Sequence, residues 1–182
     1  MPEPLTVAFV PGVIPGKWER IWRERRPGGR LELVPLPQVE ALAGLGDGTI
    51  HMALARDIVA DDVWHAIPLY REQPVVVAER ESIVAAMDEL TLADLDGETI
   101  LPVDLDGGDG SDTIELVAAN VGVAIMPQAL ARVLSREDVQ ARPLVDAPDT
   151  GVSLVWPKDD PHPLVDAFIG IVRGRTPNSS RG

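Results

Sequence analysis

The stretch from Thr113 to Pro127, TIELVAANVGVAIMP, constrains this chain more than any other. Ile114, Leu116, Val117 and Val121 fall near helical spacing, which predicts a helix over Thr113–Asn120. Asp112 or Ser111 can cap it, because either side chain accepts a bond from a free first-turn N–H. Asn120 and Gly122 tolerate positive φ and break the helix. Val123–Met126 is apolar and short, so it reads as a buried strand. Pro127 stops that strand, and Gln128–Leu134 restarts a helix. Helix, glycine turn, buried strand and proline in so short a span describe one αβ unit of a parallel sheet. The glycine is placed beside the sheet edge at which such folds bind ligands.

The chain before this unit repeats the same alternation. Thr6–Val10 reads as a strand ending in the Pro11-Gly12 turn. Trp18–Arg25 reads as a helix with Trp18, Ile21 and Trp22 on one face, broken by Pro27-Gly28-Gly29. Arg30–Leu36 is a second strand. Pro37-Gln38 opens a helix over Val39–Leu45, closed by Gly44, Gly46 and Gly48, and Ile50–Ala55 is a third strand. Three strands separated by two helices predict a parallel, doubly wound sheet.

Further on, Trp64–Leu69 and Pro74–Ala78 are strand candidates. Val75-Val76-Val77 has no polar alternation and is expected to be buried on both faces. Ser82–Leu90 and Leu92–Leu95 read as short helical pieces, and Thr99–Val103, Val139–Pro143 and Gly151–Trp156 as strands. Leu164–Val172 has the pattern of an amphipathic helix. The polar stretch Thr176–Gly182 reads as a disordered tail.

Composition narrows the functional classes. A chain of 182 residues with 45% apolar content has the material for one domain or two small lobes. It has no cysteine, which excludes disulfides and thiolate-held zinc or iron–sulfur sites. The start carries no signal-peptide pattern and no apolar run approaches a membrane span, so a soluble cytoplasmic protein is expected. The net charge of −13 argues against a free-standing DNA binder, whose affinity comes from phosphate contacts. Charge is also uneven: Lys17, Arg20, Arg23, Arg25, Arg26 and Arg30 cluster early, whereas Asp94–Glu115 holds eight acids and no base. The basic cluster reads as a solvated helix face, partly paired with Glu19 and Glu24.

No catalytic, metal or cofactor pattern emerges. Asp104, Asp106, Asp109, Asp112 and Glu115 have the wrong order for a calcium loop, since Asp109 stands where the sixth-place glycine belongs. Gly44-x-Gly46-x-Gly48 follows a helix and precedes a strand, the reverse of a nucleotide fingerprint. His51, His65 and His162 lack metal-ligand spacing. No serine lies in a Gly-x-Ser-x-Gly elbow. Arg56 is the polar residue that stands out. It directly follows a buried strand at its C-terminal end, where open α/β sheets bind ligands, and an arginine there can hold a carboxylate bidentately. The competing reading is a surface arginine paired with Asp57 or Asp61.

The segment LVAANVGVAIMP resembles the LVAAGxGxxxLP segment of the effector-binding domain of LysR-type transcriptional regulators, with Asn120 for a usual glycine and Met126 for a usual leucine. The resemblance runs from Leu5 to Arg173. The ending RGRTPNSSR at Arg173–Arg181 is similar to that of such domains found without an attached DNA-binding domain. It implies a two-lobed, periplasmic-binding-protein type II-like α/β fold. Lobe I would comprise residues 1–74 plus 145–182 and lobe II residues 75–144, joined by two crossing strands. Between the strand at Thr99–Val103 and the helix at Thr113 the family usually carries another helix and strand. Here only Asp104–Asp112 stands there, so the second lobe is expected to be shortened.

Residue by residue, the resemblance implies effector contacts at Gly12 and Val13 after the first strand, Gln38 at the start of the second helix, and Arg56. On the other lobe it implies Pro102, Val103, Asp104 and Gly122. Family members often place a serine or threonine hydroxyl at the first two loops. Gly12, Val13, Pro37 and Gln38 offer none, and Asp104 adds a negative charge. Arg56 and Gly122 are expected to face each other across the cleft. The family's winged helix–turn–helix is not expected, because the first strand begins at Thr6. The resemblance therefore implies a non-catalytic, regulatory domain that binds a small organic molecule, an organic acid among the candidates. It implies a homodimer or a pair with a related regulator, without direct DNA or membrane contact and without a cofactor. The alternatives are an interaction module that has lost its ligand and an enzyme built on the same fold.

Overall fold

The computed structural model describes residues 3–174, so the tail expected at Thr176–Gly182 lies outside the described residues. In chain order the elements are β1 (Leu5–Phe9), α1 (Gly16–Arg25), β2 (Leu31–Pro35), α2 (Gln38–Asp47), β3 (Met52–Arg56), β4 (Trp64–Glu72), β5 (Pro74–Glu79), α3 (Ile83–Ala86), β6 (Ile100–Leu101), α4 (Ser111–Ala118), β7 (Val123–Pro127), α5 (Gln128–Val133), β8 (Val139–Pro143), β9 (Thr150–Pro157) and α6 (Val165–Val172). A 3-10 turn at Leu92–Leu95 completes the list.

The strands form two sheets, one five-stranded in the order β2-β1-β3-β9-β4 and one four-stranded in the order β6-β7-β5-β8. β1 pairs parallel with β2 and β3, as three strands separated by two helices require. β9 runs antiparallel to both β3 and β4, so the first sheet is mixed rather than wholly parallel. The cause is connectivity. β4 leads directly through Gln73 into β5 of the second sheet, while β9 brings the chain back, so the two neighbours point in opposite directions. In the second sheet β6 and β7 are parallel, and β5 is antiparallel to β7 and β8.

Each sheet has its own core. On the first, Trp18 and Trp22 of α1 pack with Phe168 and Ile171 of α6, against Val7, Met52, Leu54 and Leu154. Fully burying one such side chain is worth about 1.5–3 kcal/mol. The Trp22 and Phe168 rings lie 6.0 Å apart, and the Trp22 indole N–H donates to Gly29 O at 2.8 Å, which fixes the turn into β2. The second sheet is covered on both faces. Val75 and Val77 meet Ile114, Val117, Met126 and Leu130, whereas Val76 and Ala78 meet Val84, Leu90, Leu95 and Leu144. The unbroken valine run is buried on both sides, as its lack of alternation predicts.

Several local expectations change. α2 continues through Gly44 and Gly46 and ends at Gly48, whose φ of 81° only glycine adopts at no cost. Gly44 is needed inside the helix because Ile50 packs where its Cβ would lie. The helix expected over Ser82–Leu90 is only the four residues of α3, and the strand expected over Thr99–Val103 is only Ile100–Leu101. α4 starts at Ser111, so Ser111 and Asp112 lie within it and do not cap it. Gly110, with φ of 81°, holds the cap position. Asp109 instead accepts the Ser111 amide at 2.9 Å.

Candidate functional site

The C-terminal ends of β1, β3 and β6 and the start of α2 converge where the two sheets meet. Arg56 closes β3 and is 3% exposed. Its guanidinium donates from Nε to Glu72 Oε2 at 2.7 Å, from Nη2 to Glu72 Oε1 at 3.2 Å and from Nη1 to Pro11 O at 2.7 Å. The bidentate grip foreseen for a ligand is made on an internal carboxylate, that of Glu72 at the end of β4. This corrects the surface reading: Arg56 pairs with neither Asp57 nor Asp61. A buried ion pair recovers its desolvation cost only with good geometry and further hydrogen bonds, and Arg56 has both.

Gln38, 7% exposed, continues the network. Its Oε1 accepts the Arg56 main-chain N–H at 2.7 Å, and its Nε2 donates to Asp106 Oδ1 at 3.1 Å, in the loop that follows β6 of the second sheet. The Val39 N–H donates to Asp106 O at 3.0 Å. Gly12, with φ of 88°, lies against the start of α5. A Cβ there would meet Leu130 N at 2.8 Å and Arg56 Nη2 at 3.0 Å. Val13 is buried beside it in the first core.

From the second sheet, Pro102 O accepts the Thr113 hydroxyl at 2.9 Å, and Val103 packs on the core below α4. Asp104 Oδ1 accepts the amides of Gly107 at 2.8 Å and Asp106 at 3.0 Å. These bonds, Gly107's first, hold the Asp104 carboxyl below its ordinary 3.8. Asp104 thus shapes the loop that presents Asp106. Gly122 lies elsewhere. It precedes β7, and the β6–β7 pairing aligns Ile100 with Val123, which puts Gly122 at the far end of the strands from Pro102. A Cβ on it would collide with Thr99 O and Leu101. Gly122 is a close-approach glycine between strands and does not face Arg56.

Glu72, Asp106 and Leu130 are the site residues that sequence reasoning missed. Glu72 had a signal: once Arg56 is read as buried, an acid near a strand end must accompany it. Asp106 and Leu130 carry none, because only the fold brings them to Gln38 and Gly12. Among the described residues, no buried side-chain nitrogen or oxygen lacks a partner, and no group of three or more His, Asp or Glu could hold a metal. The acidic loop spends Asp104 and Asp109 on its own amides. Away from the groove, His51 and His162, distant in sequence, stack at 4.3 Å, and His51 Nδ1 accepts the Thr6 N–H at 3.0 Å. Nearby, Arg26, Gly28, Arg30 and His162 line a surface cavity of about 470 Å³. No helix among the described residues is long and apolar enough to cross a membrane.

Comparison with known proteins assigns the fold. The LysR substrate binding domain model matches residues 5–113 and again residues 101–177. The two matches overlap at residues 101–113, which hold the loop 102–110 between β6 and α4. An uncharacterised HTH-type transcriptional regulator of Bacillus subtilis, YwbI, is 24% identical over 162 residues, covering 76% of this chain and 54% of the regulator. The chain therefore spans about half the length of that relative. Among solved structures, the BenM effector-binding domain with benzoate superposes with a TM-score of 0.75 at 17% identity, covering 94% of this chain and 90% of that one. The OxyR regulatory domain of Pseudomonas aeruginosa gives 0.74 at 16% identity, covering 95% and 97%. Full-length CbnR bound to its target DNA gives 0.73 at 18% identity, covering 94% and 70%. At these identities the solved structures speak for the fold alone, whereas the two family matches span residues 5–177, and the chain belongs to the LysR substrate-binding domain family.

Proposed function

We propose that this chain is a non-catalytic, cytoplasmic, regulatory domain that senses a small organic molecule in the groove between its lobes, with lobe I as residues 1–74 plus 145–182 and lobe II as residues 75–144. The observation that carries the reading is the hydrogen-bonded series Glu72–Arg56–Gln38–Asp106, which crosses the groove at the strand ends. Such a site converts ligand binding into lobe movement. The groove candidates are Gly12, Val13, Gln38, Arg56, Pro102, Val103 and Asp104, with Gly122 removed. Arg56 serves as a buried structural cation rather than as the first hold for an acid, since Glu72 already occupies its fork. The donors a ligand would then meet are the Gln38 amide and the Val39 N–H, both held by Asp106 and suited to a small carboxylate or neutral acceptor that displaces it. The benzoate bound to the BenM domain supports the acid class.

A thermal-shift screen of small organic acids and amino acids tests the proposal. A saturable rise in melting temperature is expected, because a ligand at 100 times its Kd stabilises by about 2.7 kcal/mol. No rise across the screen would favour the second reading, an interaction module without a ligand. That reading draws on the same network, whose buried polar atoms are all satisfied internally. For partners, the basic face of α1 and the acidic Asp94–Glu115 region favour an antiparallel homodimer or a pair with a related regulator. Monomer alone in sedimentation equilibrium would remove that part. The acidic balance argues against direct contact with DNA.

A further inference from the structure

We propose that Asp106 is a built-in occupant of the groove, placed on the donors that an incoming carboxylate would use. The inference rests on the sensing reading above and adds its regulation. Val39 is the second residue of α2, and its N–H has no partner within the helix, because first-turn amides never do. Gln38 is held so that its amide can point only one way. Its Oε1 is fixed on Arg56 N at 2.7 Å, which turns Nε2 outward. Flipping the amide would set an NH2 group against that N–H and lose the bond. Two donors, Gln38 Nε2 and Val39 N, are thus preset on lobe I.

Asp106 meets both. Its carboxylate takes Gln38 Nε2 at 3.1 Å, and its main-chain carbonyl takes Val39 N at 3.0 Å. Unlike Gln38, which is buried, Asp106 is exposed and sits in the loop that joins β6 to α4. That loop is shaped locally, by Asp104 accepting the Asp106 and Gly107 amides. The occupant therefore belongs to lobe II and its donors to lobe I, so one contact both blocks the donors and ties the lobes. A carboxylate that displaces Asp106 releases the loop leading into α4. Its apparent affinity is lowered by the fraction of molecules in which Asp106 is in place.

The test compares wild type with Asp106→Ala by hydrogen exchange at the Val39 amide, with sodium acetate as the probe. Asp106→Ala keeps the carbonyl on Val39 N and removes the carboxylate from Gln38 Nε2, so the loop should lift more often and Val39 exchange speed about fivefold, the worth of one hydrogen bond. Acetate should then restore protection saturably in Asp106→Ala and leave wild type unchanged, while sodium chloride at equal ionic strength does nothing. Adding Gln38→Glu to Asp106→Ala should abolish the rescue, since a carboxylate there repels acetate. Equal Val39 exchange in wild type and Asp106→Ala, or an acetate effect of the same size in both, overturns the proposal. If no screened compound stabilises wild type yet acetate rescues Asp106→Ala, the sensing reading fails and the occupant stands. If a screened ligand binds wild type and Asp106→Ala equally well, the occupant fails and sensing stands.

Discussion

The two sides of the groove are built differently. On lobe I the side is made of strand and helix ends, and Arg56, Gln38 and Glu72 are each at most 7% exposed, with no buried side-chain nitrogen or oxygen left without a partner. On lobe II it is an exposed glycine-rich loop held together by Asp104 and Asp109. A buried ion pair in a two-lobed fold is costly to disturb, whereas a loop tied by its own carboxylates can be lifted off at small cost. The asymmetry assigns rigidity to one side and adjustment to the other. On the adjustable side the loop 102–110 alone joins β6 to α4.

The strongest way to break this contrast is at the fixed side. Glu72→Ala should destabilise by about 3–5 kcal/mol, because it leaves the Arg56 charge buried and unpaired. Urea unfolding would report it. Replacing both partners, Arg56→Met with Glu72→Leu, should recover most of that loss, since a matched apolar pair needs no desolvation. If Glu72→Ala is harmless, the guanidinium reaches water and the fixed side is not fixed.

A smaller effect separates the two glycines once expected to serve one site. Gly122→Ala should cost about 1–3 kcal/mol by overpacking, as the new Cβ pushes Thr99 and β6 away from β7. An unchanged melting temperature would mean that Gly122 faces open space after all. The next effect lies outside the groove and serves as its control. Burial first, then the charge of His162, holds His51 below its ordinary 6.5, with Glu3 opposing. The folded state thus favours neutral His51, and its contribution is full above about pH 6.5. It declines as pH falls through the lowered folded value. In His51→Asn, whose amide oxygen can still accept the Thr6 N–H, the melting temperature should vary less between pH 6.5 and 5, at equal groove occupancy.

The smallest effect concerns the adjustable side. Asp104 is held ionised by the Gly107 and Asp106 amides, so its folded pKa is depressed. Its contribution is present above the ordinary 3.8 and is lost as pH falls through the lowered value. The Gly107 amide should then lose protection in acid while global unfolding barely moves, and in Asp104→Ala that protection should be missing already at neutral pH, leaving no acid dependence.

Much of the fold was legible because burial leaves a pattern. The Trp18–Ile21–Trp22 face, the Val75–Val77 run and the β1–α1–β2–α2–β3 alternation all stand in the structure near their expected bounds. Two glycines misled for the same reason. Gly44 breaks no helix because its missing Cβ is filled by Ile50, and Gly122 binds no groove because its missing Cβ is filled by Thr99. A sequence shows that a backbone approach is close but not to what. The candidate site was legible only where a residue's own strand, turn or helix start fixed its place, as for Arg56, Gly12 and Gln38. Glu72 and Asp106 lie 16 and 68 residues from their partners, and no local rule links them.

The central claim is that ligands enter where Gln38 and Val39 meet Asp106. Hydrogen-exchange mapping of wild type with a thermal-shift hit tests it most directly. Added protection should fall on the amides of residues 12–13 and 38–39, while residues 104–110 exchange faster as the loop is displaced. Protection confined to the cavity beside Arg26, Gly28, Arg30 and His162, with residues 38–39 and 104–110 unchanged, would contradict it.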